Sequence, residues 1–300
     1  MNVVECRGLM KQYGRKTALN DVSFTLQPDK ITGLIGRNGA GKTTLLKIIA
    51  GFIKESSGDV LVFEEQPFNN LKVSANMIFV DDEMNLPPTM NLEEILQTAA
   101  DFYPNWDREL AKRLFDYFSF KPYQYHNDLS KGMRSTFNMI LGLAARTPLT
   151  IFDEPTTGMD AGVRKDFYRA LLKDYLAYPR TIILSSHLLN EIEDILEDIL
   201  LLKDGEKFLH MSVEELREYA IGVSGKDSVT REWLKNKQVI HESSQGIGGT
   251  YAVVRNDFPI QEIESARQTG LEFSQVTADE ICTFLTSRTK GGIDDVFGRS

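Results

Sequence analysis

Gly36-Arg37-Asn38-Gly39-Ala40-Gly41-Lys42-Thr43-Thr44 is the stretch that decides the fold. The apolar run 31–35 before it predicts a buried strand, and the aliphatic run 45–50 after it predicts a packed helix. A strand, a glycine loop and a helix form the context that G-x-x-x-x-G-K-[ST] needs to bind phosphate. The alternative is a glycine-rich turn without a ligand. The flanks favour the phosphate loop, in which Lys42 reaches the β- and γ-phosphates and the Thr43 hydroxyl holds Mg²⁺.

Composition limits the classes of function. The chain of 300 residues has a formal net charge of −9, which argues against nonspecific binding of nucleic acid. Cys6 and Cys282 lie far apart without metal-ligand spacing, as is typical of reduced thiols in a cytosolic protein. No apolar run approaches the roughly 18 residues of a membrane span, and the first residues lack the features of a signal peptide. We therefore expect a soluble chain that needs a partner for any role at a membrane.

The first 30 residues alternate as strands do, which predicts an antiparallel β layer before the phosphate loop. Tyr13 is expected on a turn-rich loop there, either stacking on a nucleotide base or packing in the core. Residues 58–63 and 77–80 predict further strands, the second of which ends in Asp81-Asp82-Glu83. These carboxylates are either solvated loop residues or neighbours of a metal-bound nucleotide.

From Pro87 to about Arg146 the pattern becomes helical, with Asn91 and Glu94 as a predicted N-cap pair. The aromatic run Phe102-Tyr103-Pro104-Asn105-Trp106 is either a local core or a pocket for the helix of another protein. Ser130 is expected to cap a further helix, which is either an ordinary cap or an anion site.

Two later strands end in polar groups. The stretch 149–155 is a buried-type strand that ends in Asp153, Glu154 and a proline, and the stretch 181–187 is a further strand that ends in His187. An aspartate at such a strand end holds Mg²⁺ in phosphate-loop NTPases, and the adjacent glutamate is placed to orient or deprotonate water. A lone histidine is usually structural. A catalytic role is favoured here because ligands collect at the carboxyl ends of parallel strands.

Taken in order, the motifs are GRNGAGKTT (36–44), LSKGM (129–133), LTIFDEP (149–155), TGMD (157–160) and SSH (185–187). This set resembles the nucleotide-binding subunit of an ABC transporter over about residues 1–215. The resemblance implies an α/β fold, a phosphate-loop NTPase core of the ABC type with a mainly parallel sheet and flanking helices. It also implies an antiparallel β layer and a helical subdomain at about 84–146, all within a nucleotide-binding domain at 1–220.

The resemblance assigns roles to the positions that match its motifs. For nucleotide binding these are Tyr13 at adenine, then Gly36, Asn38, Gly39, Ala40, Gly41, Lys42, Thr43 and Thr44 at phosphate and Asp160 in the D-loop. Ser130 and Gly132 contact the ATP of a second subunit in a head-to-tail dimer. The catalytic positions are Lys42, Asp153, Glu154 and His187, and the metal positions are Thr43 and Asp153.

Two positions depart from the family pattern. Lys131 replaces a glycine of the signature LSGGQ, so its charge lies either near phosphate or in solvent. Asp82 (or Asp81, if the register shifts by one) replaces the Q-loop glutamine. Asp82 is either a third Mg²⁺ ligand or a carboxylate withdrawn from the site, and we favour withdrawal because its side chain is shorter than that of glutamine.

Residues 221–300 match none of these motifs and predict a small C-terminal α/β appendage. Strands are expected near 238–240 and 251–254 and an acidic helix near 260–267, and the segments 270–273 and 279–287 would complete the appendage. Glycines at 246, 248, 249, 291 and 292 indicate turns or a loose tail. A similar extension accompanies ATP-binding subunits of some bacterial antibiotic or multidrug exporters, and the sequence 103–107 resembles that branch.

These observations predict a Mg²⁺-dependent ATPase subunit that docks on separate transmembrane permease subunits and powers transport, with export favoured over import. We expect ATP and Mg²⁺ as cofactors, a homodimer or a pairing with a related ATPase subunit, and no direct contact with nucleic acid. The expected location is cytoplasmic, peripheral on the inner face of the cell membrane. The alternative is a soluble ABC ATPase that acts on a ribosome or nucleic-acid machine. A nonhydrolysing regulatory module is a further rival, against which Glu154 and His187 argue.

Overall fold

A computed structural model describes residues 2–246 and 248–287. The described chain divides into two units between His210 and Met211, earlier than the boundary at 220 expected from the motifs. Glycines 291 and 292, interpreted above as turns or tail, lie outside the described residues.

The first unit is built on two sheets. Its strands are β1 (Val4–Tyr13), β2 (Lys16–Leu26), β3 (Ile31–Ile35), β4 (Ser57–Val62), β5 (Met77–Val80), β6 (Leu149–Asp153), β7 (Thr181–Ser186), β8 (Asp198–Lys203) and β9 (Glu206–Ser212), the last of which runs past the division. Its helices are α1 (Lys42–Ile49), α2 (Leu71–Ala75), α3 (Leu92–Phe102), α4 (Arg108–Tyr117), α5 (Lys131–Ala144) and α6 (Ala161–Ala177). The short helix α2 was not predicted from the sequence.

The larger sheet has the strand order β5-β6-β7-β3-β8-β9. Strand β3 pairs in parallel with β7 and β8, and β6 pairs in parallel with β5 and β7. Every residue of β3, β5, β6 and β7 is buried, as expected for apolar strands that are covered on both faces. Because these strands run the same way, the phosphate loop, Asp153 and Ser186 all follow or end strands at one edge of the sheet.

The predicted antiparallel layer is present as the sheet β2-β1-β4. Tyr13 is the last residue of β1 and pairs with Lys16 across the hairpin turn, so its expected placement on a loop was wrong. Its side chain is 50% exposed, which also rules out the core interpretation. Strand β1 extends to Tyr13 because the hairpin turn contains only Gly14 and Arg15.

The helices α3, α4 and α5 lie within the segment predicted to be helical. Asn91 and Glu94 form the predicted capping box at the start of α3. Ser130 caps α5, where its hydroxyl accepts a hydrogen bond from the backbone N–H of Met133 at 3.3 Å. Most of α5 after its first turn is buried, because the residues from Ser135 to Ala144 carry small or apolar side chains or buried amides.

The second unit contains α7 (Val213–Glu218), β10 (Ala220–Lys226), α8 (Asp227–Leu234), β11 (Val239–Gln245), β12 (Gly249–Arg255), α9 (Ile260–Gln268), β13 (Glu272–Gln275) and α10 (Ala278–Thr286). Its sheet has the order β11-β12-β10-β13, so β10 to β13 form a β-α-β-β-α-β arrangement. The strands β11 and β12 and the helix α9 lie where the sequence predicted them, and β13 and α10 overlap the two segments expected to complete the unit. Strand β10 and helix α8 were missed, because glycines and polar residues interrupt their apolar pattern.

Candidate active site

The loop 36–41 joins β3 to α1 in a conformation that depends on its glycines. Gly39 and Gly41 have φ of +83° and +103°, which side-chain-bearing residues rarely adopt. A Cβ at Gly36 would lie 2.6 Å from the carbonyl oxygen of Leu202, and one at Gly41 would lie 2.7 Å from that of Ala18. The loop thus packs tightly against neighbouring strands, while its tip from Arg37 to Gly39 is exposed. This is the cradle that a nucleotide phosphate needs at the N-terminus of a helix.

Lys42, the first residue of α1, points back across this loop. Its side chain is only 6% exposed, and Nζ donates a hydrogen bond to the carbonyl oxygen of Gly36 at 2.6 Å. The same Nζ lies 3.2 Å from Oε1 of Glu154. The two residues that follow, Thr43 and Thr44, lie in the first turn of α1. A buried cation is therefore held at the mouth of the loop, where phosphate oxygens would meet it.

Glu154 lies at the centre of the predicted catalytic residues. Its Oε2 is 2.7 Å from Nδ1 of His187, and its Oε1 faces Lys42. Oε1 is buried and forms no hydrogen bond within the described residues. The backbone of Glu154 has φ of +47°, a left-handed conformation uncommon outside glycine. Lys42, Glu154 and His187, separated by up to 145 positions in sequence, thus lie in contact in one cluster.

Asp153 ends strand β6 and is 5% exposed. It is paired in the sheet with Ser185 of β7, whose hydroxyl donates a hydrogen bond to Oδ1 of Asp153 at 2.5 Å. The same hydroxyl accepts a hydrogen bond from the backbone N–H of Glu154 at 2.9 Å. Sequence reasoning missed Ser185. The signal that could have found it is the parallel register, which places the SSH serine beside the DE carboxylates.

A second group of predicted residues surrounds the start of α5. A Cβ at Gly132 would lie 2.3 Å from the carbonyl oxygen of Gly158, so the signature glycine allows close packing on the turn before α6. Asp160 caps α6, where its side chain accepts a hydrogen bond from the N–H of Val163 at 2.9 Å. In the described part of the chain, no hydrogen bond or ion pair joins Ser130 or Gly132 to Lys42. Within one copy the two groups are connected through Thr157, whose carbonyl oxygen accepts a hydrogen bond from Ser135 of α5 and whose hydroxyl donates one to the carbonyl oxygen of Glu154.

Lys131 and Asp82, the two residues that depart from the family pattern, form an ion pair with each other. Nζ of Lys131 lies 2.8 Å from Oδ2 of Asp82, with side chains 54% and 31% exposed. This contact was not predicted, since each residue was considered separately. It places the Asp82 carboxylate beside a cation of the signature segment and leaves Lys131 partly in solvent.

Asp81, the neighbour of Asp82, is hydrogen-bonded to a buried residue of α5. The side-chain amide of Asn138 donates a hydrogen bond to the carbonyl oxygen of Asp81 at 3.0 Å and accepts one from Nε2 of buried His126 at 2.8 Å. Burial raises the pKa of Asp81, nearby Lys47 lowers it, and the negative charge of Asp153 raises it again. Burial also lowers the pKa of His126, although its hydrogen bond to Asn138 acts in the opposite direction.

A groove of about 470 Å³ lies beside this loop. Its apolar walls include Phe52 and Phe79, whose rings are 5.1 Å apart, together with Phe102 and Tyr103. The carboxylates of Asp81 and Glu83 and the ammonium of Lys47 also line it. Phe102 is 60% exposed, so the aromatic run 102–106 is not simply a local core. No helix among the described residues is long and apolar enough to cross a membrane.

Known proteins resemble this chain in sequence. A family model described as ABC transporter matches residues 19–157. The ABC transporter ATP-binding protein YtrB of Bacillus subtilis is 30% identical over 221 residues, which cover 74% of this chain and 76% of YtrB. Nod factor export ATP-binding protein I of Rhizobium johnstonii is 29% identical over 225 residues, which cover 73% of this chain and 72% of that relative.

Solved structures share the fold. The ATP-binding subunit of an ABC transporter superposes with a TM-score of 0.64 at 24% identity, over 72% of this chain and 92% of that chain. The ATP-binding cassette MJ0796, a dimer in a post-hydrolysis state with ADP and Pi, superposes with a TM-score of 0.61 at 22% identity. That match covers 70% of this chain and 98% of MJ0796. At these identities the structures establish the architecture and nothing finer.

Proposed function

The chain belongs to the ATP-binding proteins of ABC transporters, and from this premise we propose that it hydrolyses Mg²⁺-bound ATP to power transport by separate membrane subunits. The observation that carries the proposal is the position of Glu154 between Lys42 and His187 at the phosphate loop. Its buried Oε1, which forms no hydrogen bond within the described residues, suits a group that accepts a proton from water.

In this proposal the phosphate loop binds ATP through its backbone N–H groups at the N-terminus of α1. Residues 36 and 38–44 surround the β- and γ-phosphates, and Lys42 exchanges its ion pair with Glu154 for the phosphate oxygens. Tyr13 offers a half-exposed ring to the adenine base. The glycine geometry fits this ligand, because the tightly packed loop turns its exposed tip to solvent.

Glu154 is the proposed general base. Once Lys42 binds phosphate, Oε1 is available to orient the attacking water and accept its proton. Nδ1 of His187 holds the other oxygen, Oε2, and so fixes the plane of the carboxylate. No covalent intermediate is needed, since phosphoryl transfer depends on positioning and on electrostatic stabilisation.

The donor set at the edge of the sheet suits a hard divalent cation. Asp153 supplies a buried carboxylate and Thr43 a hydroxyl in the first turn of α1, and both are oxygen ligands of the kind that Mg²⁺ prefers. When bound, Mg²⁺ neutralises charge that develops on the β- and γ-phosphates. We propose that Asp82 stays withdrawn from this metal, since its carboxylate is already paired with Lys131.

Completion of the site requires a second ATPase subunit, either a copy of this chain or a related one. Ser130, Gly132 and the N-terminus of α5 would bind the γ-phosphate held by the facing subunit, where the helix dipole favours an anion. This arrangement fits the finding that, among the described residues, neither Ser130 nor Gly132 forms a hydrogen bond or ion pair with the phosphate-loop Lys42 of the same chain. Asp160 would lie at the same interface, at the start of α6.

The partner of the groove is proposed to be a short helix of a transmembrane permease subunit. The groove has the aromatic and apolar lining that such helices bind, and it adjoins the loop from Asp81 to Asn85 next to the active site. Binding there would hold the chain on the inner face of the cell membrane. The relative named for Nod factor export favours export as the direction of transport.

The experiment is co-expression of the chain with the membrane proteins encoded beside its gene, followed by affinity purification and an assay of phosphate release. We expect a stable complex with ATPase activity that Lys42→Ala abolishes through lost nucleotide binding. Lys72→Ala is the matched control, because Lys72 forms only an exposed ion pair with Glu65. Recovery of the chain without membrane proteins, and instead with ribosomes or nucleic acid, would overturn the transport proposal.

A further inference from the structure

Ser185 is a buried serine that links the two carboxylate residues of the site. It lies on β7 directly beside Asp153 in the parallel register and has no exposed surface. Its hydroxyl oxygen is 2.5 Å from Oδ1 of Asp153 and 2.9 Å from the backbone nitrogen of Glu154. One side chain thus contacts both the residue proposed to hold the metal and the residue proposed to activate water.

The direction of both hydrogen bonds follows from chemistry. The backbone N–H of Glu154 can only donate, so the serine oxygen accepts from it. The single hydroxyl proton of Ser185 then goes to Asp153, because an ionised carboxylate only accepts. Oδ1 of Asp153 is engaged in this way, and Oδ2 becomes the oxygen available to a cation.

The bond to Glu154 acts on its backbone. Glu154 has φ of +47°, a conformation disfavoured for residues with a Cβ unless the surroundings hold it. The N–H of Glu154 is fixed by Ser185, and the conformation aims the side chain at Lys42 and His187. A serine with no exposed surface therefore helps to set where the base points.

We propose that Ser185 is a positioning residue of the ATPase site, whose one hydroxyl orients the metal-binding carboxylate of Asp153 and the backbone of Glu154 together. This inference rests on the proposed function, and it adds a residue that contacts neither substrate nor metal. Partners of this kind typically change metal affinity or activity about 10- to 100-fold when they are removed.

The test compares Ser185→Ala and Ser185→Thr with Thr150→Val. Thr150 is a fully buried hydroxyl on β6 that bonds to Thr147 and Arg180, away from the carboxylates, so Thr150→Val controls for loss of a buried hydroxyl in the same sheet. Two quantities are measured for each protein. One is kcat for phosphate release, and the other is the ratio of affinities for a fluorescent ATP analogue in EDTA and in Mg²⁺.

For Ser185→Ala we expect kcat or the Mg²⁺ enhancement of nucleotide affinity, or both, to fall about 10- to 100-fold. Affinity in EDTA should stay within about twofold, since the contacts of Lys42 and the phosphate loop remain. Ser185→Thr should restore both quantities because it keeps the hydroxyl, and Thr150→Val should change neither. The affinity ratio refers only to molecules that bind nucleotide, so it remains decisive for a variant that is partly unfolded.

Three outcomes overturn the inference. These are a Ser185→Ala protein with normal kcat and a normal Mg²⁺ response, a Thr150→Val protein with the same losses, or no restoration by threonine. Glu154→Gln, assayed alongside, separates this inference from the proposed function. An inactive Glu154→Gln with an unaffected Ser185→Ala rejects only the role of Ser185, whereas an active Glu154→Gln rejects the proposed function itself.

Discussion

Glu154→Gln should bind ATP more tightly than the wild-type chain, although it removes the proposed catalytic base. In the structure Glu154 Oε1 lies 3.2 Å from Lys42 Nζ, and the two side chains are 26% and 6% exposed. In the proposed exchange, ATP replaces this carboxylate as the partner of Lys42. A neutral glutamine of nearly the same shape removes that competition and also removes a negative charge from beside the γ-phosphate.

The size of the affinity gain can be estimated from the energy of the ion pair between Lys42 and Glu154. At an effective dielectric of 20, two unit charges this far apart attract by about 5 kcal/mol. Desolvation and side-chain ordering offset most of that, which leaves a net value of about 1 kcal/mol for a partly exposed pair. In Glu154→Gln this 1 kcal/mol no longer opposes nucleotide binding, so the affinity should rise about fivefold.

The assay is equilibrium binding of a fluorescent ATP analogue in EDTA, so that neither hydrolysis nor metal contributes. Glu65→Gln is the matched control, because it breaks an exposed Lys–Glu pair of similar length, 2.8 Å, on the surface. Its affinity should equal that of the wild type. If Glu154→Gln binds no more tightly than this control, or more weakly, then Glu154 does not compete with phosphate for Lys42 and the exchange is refuted.

Three further predictions concern the other parts of the site. Ser130→Arg should keep nucleotide affinity within about twofold yet stop phosphate release, because in the proposed dimer α5 acts on the ATP of the facing subunit; normal turnover would exclude the composite site. Asp82→Asn should raise basal turnover or MgATP affinity, and exchange of the charges at positions 82 and 131 should show a coupling of about 0.2–1 kcal/mol in a double-mutant cycle on that affinity. Loss of Mg²⁺-dependent hydrolysis with normal nucleotide binding would instead identify Asp82 as a metal ligand. Phe102→Glu should weaken co-purification with the membrane subunits while ATP binding stays normal, since it places a charge in the groove; an unchanged yield of complex would reject the groove as the docking site.

The phosphate loop and the strand-end residues could be predicted because each depends on a local pattern. Glycine spacing at 36–41 determines the loop conformation, and short apolar runs that end in Asp153 or His187 place those residues at one edge of a parallel sheet. The ordered motifs then identified the family. The same local rules gave the caps at Asn91 and Ser130.

What the sequence did not reveal depends on contacts between distant segments. Ser185 is recognisable only when the register of β6 and β7 is known, since nothing in SSH shows that it faces Asp153. The pairing of Asp82 with Lys131 joins residues 49 positions apart, and neither segment alone indicates it. Tyr13 was placed on a loop because the glycine beside it suggested a longer turn than the hairpin uses.

The central claim is that Glu154 drives hydrolysis at a site formed by the phosphate loop. The most direct measurement is single-turnover release of phosphate, with protein in excess over MgATP, for the wild type and Glu154→Gln. Removal of a positioned general base costs about 10²- to 10⁴-fold in rate, so we expect the variant to bind the nucleotide and release phosphate at least about 100 times more slowly. Release rates within about threefold of each other, at equal nucleotide occupancy, would contradict the claim.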